Sequence, residues 1–119
     1  MRNNKLGRLY RDGEIVINKG DEGTCLFVIQ EGKVEVFDSN GDGEVKVAEL
    51  GSGEFFGEMG LFEKDVRSCT VRASGNAKIM TIDKKNFYKT IQKDPTLAYR
   101  LLQKMSFRLR ELNKKVIQV

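Results

Sequence analysis

The chain has 119 residues, of which 39% are hydrophobic and 32% are charged, and this composition is typical of one turn-rich globular domain with an ordinary core. It contains no histidine, which removes the usual imidazole base, the histidine-dependent hydrolase triads and histidine-rich metal centres. No carboxylate pair is clustered with a nucleophile, so we predict neither an enzyme nor a metal site.

The chain has no segment that looks like a targeting or membrane element. No apolar run approaches the roughly 20 residues that cross a bilayer, and the first residues lack the apolar core of a signal peptide. Cys25 and Cys69 have no motif spacing, so we expect two reduced thiols rather than a disulfide. These features predict a cytoplasmic protein without a membrane partner.

The first two thirds of the chain has the pattern of short strands separated by glycine turns. Apolar residues alternate in 14–18 and in 33–37, as half-buried strands require. Residues 25–29 form a nearly continuous apolar run, which favours a strand covered on both sides. Further strands are predicted at 69–73 and 77–82. This order predicts a β-sandwich or a β-roll.

Turn-forming residues fill the segment from Asp38 to Gly43, ahead of the alternating stretch 45–50. The spacing of Asp38, Asn40 and Asp42 is similar to the start of a calcium loop. We predict a β-hairpin at this place and no bound calcium.

The period changes after residue 82, where two helices are predicted. Asp83 is a candidate N-cap for a helix at about 84–92, and Asp94 with Pro95 is expected to open a second helix at about 95–116. An apolar stripe runs along the second helix at three- and four-residue steps, through Leu97, Leu101, Met105, Leu109, Leu112 and Val116. The stripe packs either on the roll or against the same helix of a second chain, and the sequence leaves both open.

The second helix also carries most of the positive charge of the chain, whose net charge is +4. The cations of this segment are Arg100, Lys104, Arg108, Arg110, Lys114 and Lys115. They would attract nucleic acid, but no base-stacking aromatic residues interleave them. We therefore favour the solvated face of an amphipathic helix.

The segment 55–71 is rich in glycine, then acidic, then basic. Gly57 and Gly60 flank Glu58, and a single helical turn over 58–61 would direct its N–H groups toward an anion. Nine residues after Glu58 comes Arg67, beside the hydroxyl of Ser68.

This pairing of residue types indicates one chemistry and leaves one structural alternative open. A guanidinium holds two phosphate oxygens, while a carboxylate accepts from a sugar hydroxyl, so Glu58 and Arg67 together indicate a ribose phosphate. On spacing alone, an ion pair between the two residues that ties down the loop explains them equally well.

The sequence resembles the cyclic nucleotide-binding domain family, found in bacterial catabolite activators, cAMP-dependent kinase regulatory subunits and nucleotide-gated channels. The resemblance covers nearly the whole chain, including Asp12–Glu14, Lys19–Gly23 and Glu31–Val36. Its most specific parts are Phe56–Leu61 and Arg67–Val71, which are similar to the two halves of the family's phosphate-binding cassette.

The resemblance implies a mainly β fold, a double-stranded β-helix jelly roll with C-terminal α-helices, that encloses a 3′,5′-cyclic nucleotide. Glu58 would accept from the ribose 2′-hydroxyl, Arg67 would neutralise the phosphate, and Ser68 with the N–H groups of Gly60 and Leu61 would complete the cradle. The residues that the resemblance assigns to the ligand are Gly57, Glu58, Met59, Gly60, Leu61, Arg67, Ser68, Cys69 and Asn113. For Cys69 we favour wall packing over a reactive role. Asn113 would meet a purine edge or stay in solvent.

The resemblance also implies a function without a further cofactor. Ser68 favours cAMP over cGMP, and the ligand would move the helix at 95–116, as in allosteric signal transduction.

We expect residues 1–119 to form a single domain, with the roll at about 9–82. No helix-turn-helix follows in this sequence, so direct nucleic-acid binding is not predicted; a homodimer through the last helix is. The alternative is a degenerate roll that serves as a dimerisation or docking module and binds no nucleotide.

Overall fold

The computed structural model describes residues 7–62 and 65–117, and antiparallel β-strands are the most abundant secondary structure in this part of the chain. The strands are β1 (Arg8–Tyr10), β2 (Ile15–Ile17), β3 (Glu22–Gly23), β4 (Leu26–Asn40), β5 (Gly43–Leu50), β6 (Phe55–Phe56), β7 (Asp65–Val66) and β8 (Thr70–Ile82). The helices are α1 (Met59–Phe62), α2 (Lys84–Lys93) and α3 (Thr96–Ile117).

Two long strands, β4 and β8, form the centre of the main sheet of the roll. They pair antiparallel from Leu26 opposite Ile82 to Phe37 opposite Thr70. The main sheet has the order β1-β8-β4-β5, with β2 also on β8 and β6 also on β4. Strands β3 and β7 form a separate two-stranded ladder. The predicted fold class, a mainly β roll followed by C-terminal helices, is confirmed.

The strands that were predicted as separate elements are continuous. Segments 25–29 and 33–37 belong to β4, and segments 69–73 and 77–82 correspond to β8. The register of the β4–β8 ladder shifts between Ile29 and Lys33, where Gly32 has a φ of 88°. Gly75 in β8 has a φ of 75°. A glycine in this region of φ bends a strand without ending its ladder, so the glycines are corners of the roll rather than ends of strands.

The inner faces of β4 and β8 supply the core. Val34 lies opposite Ala73 in the ladder, and both side chains are buried. The central cluster consists of Tyr10, Ile17, Ile29, Val34, Phe56, Val71, Ala73, Ala77 and Ile79. Each aliphatic side chain that is removed from water in this way contributes about 1.5–3 kcal/mol to folding. The predicted alternation in β4 therefore reports the core correctly. In β2 it does not, because Ile17 is buried but Ile15 is 48% exposed, and the register of β2 on β8 shifts between these two residues.

Strand β5 differs from its predicted half-buried character. Val45 and Val47 are each 54% exposed. β5 lies at the edge of the sheet, and Val45 pairs with Asp38, one residue beyond the last β4–β8 pair, Phe37 with Thr70. The outer part of this hairpin is two-stranded, so nothing in the ladder covers its apolar side chains.

Residue contacts divide the chain into two compact units, with the boundary after Lys84. In the second unit, the Thr96 N–H donates to Oδ1 of Asp94 at 3.0 Å, which confirms the predicted N-cap of α3. The predicted stripe is only partly buried, since Leu101 is 4% exposed but Leu109 is 62% exposed. The side chains of Leu112, Lys115 and Val116 lie outside the described residues. None of the described helices combines the length and the apolar composition that a bilayer crossing requires.

Candidate functional site

Arg67 lies between β7 and β8, and the backbone on both sides of it is fixed. Its N–H donates to the carbonyl of Asp21 at 2.7 Å, and its carbonyl accepts from the N–H of Gly20 at 2.9 Å. These bonds extend the short β3–β7 ladder past its last pair, Glu22 with Val66. Arg67 is 9% exposed, so the ladder holds a charged side chain inside the protein.

The guanidinium of Arg67 is oriented by backbone oxygens and by an aromatic ring. Nη1 donates to the carbonyl of Gly57 at 3.0 Å, and Nη2 donates to the carbonyl of Cys25 at 2.9 Å. Cζ lies 5.7 Å from the centre of the Phe27 ring. These two hydrogen bonds use two of the five N–H donors of a guanidinium. The other three are the donors with which this group would hold an anion.

Three glycines make room for the guanidinium. A Cβ on Gly23 would overlap Nε and Cζ of Arg67. A Cβ on Gly60 would come within 2.9 Å of Nη1 and within 2.8 Å of the Gly23 carbonyl oxygen. Gly57 has a φ of 77°, and its Cβ would lie 3.0 Å from Nη1. The position of Arg67 therefore depends on the absence of side chains at all three places.

Glu58 is connected to Arg67 through one peptide group. It is 2% exposed, and the carbonyl that accepts from Nη1 of Arg67 belongs to the peptide bond between Gly57 and Glu58. Among the described residues, Glu58 and Arg67 are the charged residues that are buried. A buried carboxylate and a buried guanidinium in neighbouring loops offer an acceptor and several donors to one ligand, which makes them a candidate binding site.

The helical turn predicted over 58–61 forms, but its N–H groups are used within it. Gly60 donates to the carbonyl of Gly57 at 3.2 Å, and Leu61 donates to the carbonyl of Glu58 at 3.0 Å. Helix α1 has only four residues, so these bonds close over three residues. The turn thus differs from the open donor cradle that was expected at Gly60 and Leu61.

The other predicted site residues differ in burial and in the element that carries them. Ser68 is exposed beside Arg67, and Cys69 is half-buried with a free thiol, as is Cys25. Met59 is 40% exposed on α1. Asn113 is an exposed residue of α3, in the second compact unit.

The groups that hold Arg67 were not predicted from the sequence. Gly23 and Phe27 are not among the predicted site residues, and for Cys25 the sequence predicts only a reduced thiol. Cys25 acts through its carbonyl oxygen, 42 residues away from Arg67, and a main-chain oxygen leaves no residue-type signal. The only sequence feature that indicated a close approach of another group at this place was the presence of two glycines shortly before β4, Gly20 and Gly23.

The segment that resembles a calcium loop is a hairpin. Counted from Asp38, its twelfth residue is Glu49, so the spacing of acids in such a loop is complete. However, Asp38 lies in the β4–β5 ladder and accepts from Nζ of Lys19 at 2.9 Å, and Glu49 accepts from Nζ of Lys46 at 3.3 Å. No group of three or more potential metal ligands occurs in the part of the chain that the structure describes.

Comparison with known proteins agrees with this arrangement. Residues 7–94 match the model of a family described as the cyclic nucleotide-binding domain. The cAMP-activated global transcriptional regulator Vfr of Pseudomonas aeruginosa is 37% identical over 114 residues, which are 92% of this chain and 53% of the relative. A cAMP-dependent protein kinase regulatory subunit of Schizosaccharomyces pombe is 39% identical over 83 residues, 70% of this chain and 19% of that subunit.

The fold has solved counterparts as well. The catabolite activator protein of Thermus thermophilus superposes with a TM-score of 0.79 at 31% identity, over 93% of this chain and 53% of that one. This chain thus spans about half the length of the bacterial regulators that it matches, or less. From the match of the family model and the identity to these relatives, the chain belongs to the cyclic nucleotide-binding domain family.

Proposed function

We propose that this chain is a regulatory module that binds cAMP and transmits the binding to its C-terminal helix. The observation that carries the proposal is the buried guanidinium of Arg67, which two carbonyls orient through two of its five N–H donors, so that the other three are suited to an anion. The matching relatives support the choice of ligand, because their names describe cAMP-activated regulators and a cAMP-dependent kinase subunit.

Each charged residue has a role in this proposal. Arg67 neutralises the cyclic phosphate, and the exposed hydroxyl of Ser68 adds a neutral donor beside it. Glu58 accepts from the ribose 2′-hydroxyl. A cyclic phosphodiester carries one negative charge, so a single guanidinium balances it without a second buried cation. Because Gly60 and Leu61 already donate within α1, the phosphate contact rests on Arg67 and Ser68.

Regulation requires two states that bind the ligand unequally. In the proposal, cAMP favours the state in which α3 takes a new position, and α3 pairs with the same helix of a second copy. The effector that reads the change is a further domain or a partner protein.

Calorimetric titration of the chain with cAMP, cGMP and 5′-AMP tests the proposal. We expect saturable one-to-one binding of cAMP with a dissociation constant below about 1 mM, weaker binding of cGMP, and the weakest binding for the doubly charged phosphate of 5′-AMP. Absence of heat and of affinity for both cyclic nucleotides at millimolar concentration would overturn it.

A second candidate function is a docking or dimerisation module that binds no nucleotide. It is favoured by apolar side chains of α3 that are more than half exposed, namely Tyr99, Leu102, Phe107 and Leu109. In that case sedimentation would show a stable assembly without nucleotide, and variants at Glu58 and Arg67 would leave the assembly unchanged.

A further inference from the structure

Phe27 lies between the core of the roll and the candidate phosphate site. It pairs directly with Phe56 across strands β4 and β6. The two rings are nearly parallel, with an interplanar angle of 9° and centres 5.2 Å apart. Phe56 is 5% exposed and belongs to the central core cluster. The Phe27 ring is thereby packed against a buried side chain of the core.

The second neighbour of this ring is the guanidinium of Arg67, whose Cζ lies 5.7 Å from the ring centre. This distance is within the range in which a cation is attracted to an aromatic face. A Cβ on Gly57 would lie 3.3 Å from Cδ1 of Phe27 and 3.0 Å from Nη1 of Arg67. The glycine is therefore what allows the ring and the cation to come together.

The two carbonyl contacts do not fix the guanidinium completely. Hydrogen bonds from Nη1 to Gly57 and from Nη2 to Cys25 define one line, and a planar group can still hinge about that line. The hinge angle decides where the three other N–H donors point. The attraction between the cation and the face of the Phe27 ring favours one hinge angle over the others, and it adds no negative charge that would compete with an anionic ligand.

We infer that Phe27 is a positioning residue for the phosphate, acting through Arg67: its ring, held by Phe56, sets the plane of the guanidinium that receives the anion. The inference deepens the proposed function and rests on it. It concerns the side chain that orients Arg67 rather than the residues that touch the ligand. Phe27→Leu keeps a similar apolar volume but removes the aromatic face, whereas Phe27→Tyr retains the face.

The same strand offers a matched control. Phe37 also lies under an arginine, with Cζ of Arg72 4.0 Å from its ring centre, and Arg72 pairs with Glu44. Phe37→Leu therefore removes a cation–aromatic contact from β4 that is unconnected with Arg67. Any effect that Phe27→Leu shares with Phe37→Leu is a general effect on the sheet.

The experiment combines calorimetry with cAMP and NMR of the nuclear Overhauser effect between the Arg67 Nε–H and the α-protons of Gly23, the glycine whose added Cβ would overlap Nε. Four proteins are compared: wild type, Phe27→Leu, Phe27→Tyr and Phe37→Leu. We expect Phe27→Leu to weaken cAMP binding about three- to tenfold and to weaken this Overhauser effect. Phe27→Tyr should restore both, and Phe37→Leu should change neither. An unchanged affinity in Phe27→Leu, or a weakened affinity with an unchanged Overhauser effect, overturns the inference.

Failure of the proposed function has a different signature. If wild-type protein does not bind cAMP, the ligand assignment is wrong, and the Overhauser effect between Arg67 Nε–H and Gly23, measured without ligand, still decides whether Phe27 positions Arg67. An effect that weakens in Phe27→Leu and returns in Phe27→Tyr supports the positioning role. An effect that is the same in all four proteins refutes it.

Discussion

Arg67 donates from Nη1 to the carbonyl oxygen of Gly57 at 3.0 Å, and the peptide group that contains this oxygen leads directly into Glu58. The basic and the acidic residue of the site are therefore linked by one hydrogen bond and one peptide unit. A ligand that shifts the guanidinium also acts on the turn that carries the carboxylate. Glu58 directly precedes α1, whereas Arg67 directly follows β7. The link between them nevertheless joins the two halves of the site into a single unit.

The first prediction concerns the carboxylate of Glu58. If it accepts from the ribose 2′-hydroxyl, 2′-deoxy-cAMP should bind wild-type protein about ten- to hundredfold more weakly than cAMP, because a hydrogen bond to a charged group is lost. In Glu58→Gln the penalty for removing the hydroxyl should shrink. Competition titrations of both nucleotides against both proteins measure this double cycle. An equal penalty in the two proteins would remove Glu58 from the ribose contact.

The second prediction concerns the glycines around Arg67. A methyl group at Gly23 would press on Nε and Cζ, whereas a methyl group at Gly60 would press on Nη1. Either methyl forces the guanidinium away from the Gly57 and Cys25 carbonyls, so each single alanine variant should weaken cAMP binding more than about tenfold.

The double variant Gly23→Ala/Gly60→Ala should lose less than the product of the single losses, with a coupling of about 0.5–3 kcal/mol, because either methyl alone already displaces the guanidinium. Gly41→Ala is the matched control, because nothing lies within 4 Å of the Cβ that it would add. Additive effects of the two alanines would contradict the close packing of the guanidinium between these glycines.

The third prediction is a pH effect at the start of α3. The hydroxyl and the N–H of Thr96 bond the Asp94 carboxylate and hold its pKa below its usual range. A carboxyl whose pKa is lower in the folded state stabilises that state above its unfolded pKa, about 3.9, and this contribution is lost as the pH falls through the lowered value.

Carboxyl NMR titration should therefore give Asp94 a pKa below the ordinary value, and Thr96→Ala should raise it. Loss of the helix signal in circular dichroism should begin at a higher pH in the variant. An Asp94 pKa that does not respond to Thr96→Ala would rule out the hydroxyl as its cause.

The fourth prediction separates assembly from ligand binding. Leu102 and Leu109 are 69% and 62% exposed on α3. If they lie in a helix-to-helix dimer, the double variant Leu102→Glu/Leu109→Glu should be monomeric in sedimentation and should still bind cAMP. Leu9→Glu is the control, since Leu9 is 69% exposed on β1. Wild-type protein that sediments as a monomer with and without cAMP would contradict the dimer.

Much of the fold followed from local patterns in the sequence. Alternation in β4 marked the core face, and Asp94 with Pro95 marked the start of α3, because these signals depend on neighbouring residues. Local patterns gave wrong strand ends and wrong burial where contacts between residues distant in sequence determine them. Gly32 and Gly75 have turn-like residues around them but bend continuous strands, and Val45 alternates as a half-buried residue although no third strand covers it.

The candidate site was predictable in its side chains but not in its support. Glu58 and Arg67 were chosen by residue type, and both are buried in the structure. The carbonyl of Cys25 and the ring of Phe27 reach Arg67 across 42 and 40 residues of sequence, through contacts that only the folded sheet creates. The N–H groups of Gly60 and Leu61 were expected to be open, and the closure of α1 could not be read from its composition.

Whether Arg67 holds the phosphate of cAMP is decided by a calorimetric titration of cAMP into wild-type protein and into Arg67→Ala. We expect saturable binding to the wild type and a loss of about 30- to 4,000-fold in the variant, which corresponds to about 2–5 kcal/mol for truncating one partner of a buried charged contact. Thermal unfolding of both proteins shows whether the variant is folded at the titration temperature. A folded Arg67→Ala protein that binds cAMP as tightly as the wild type would show that Arg67 does not hold the phosphate.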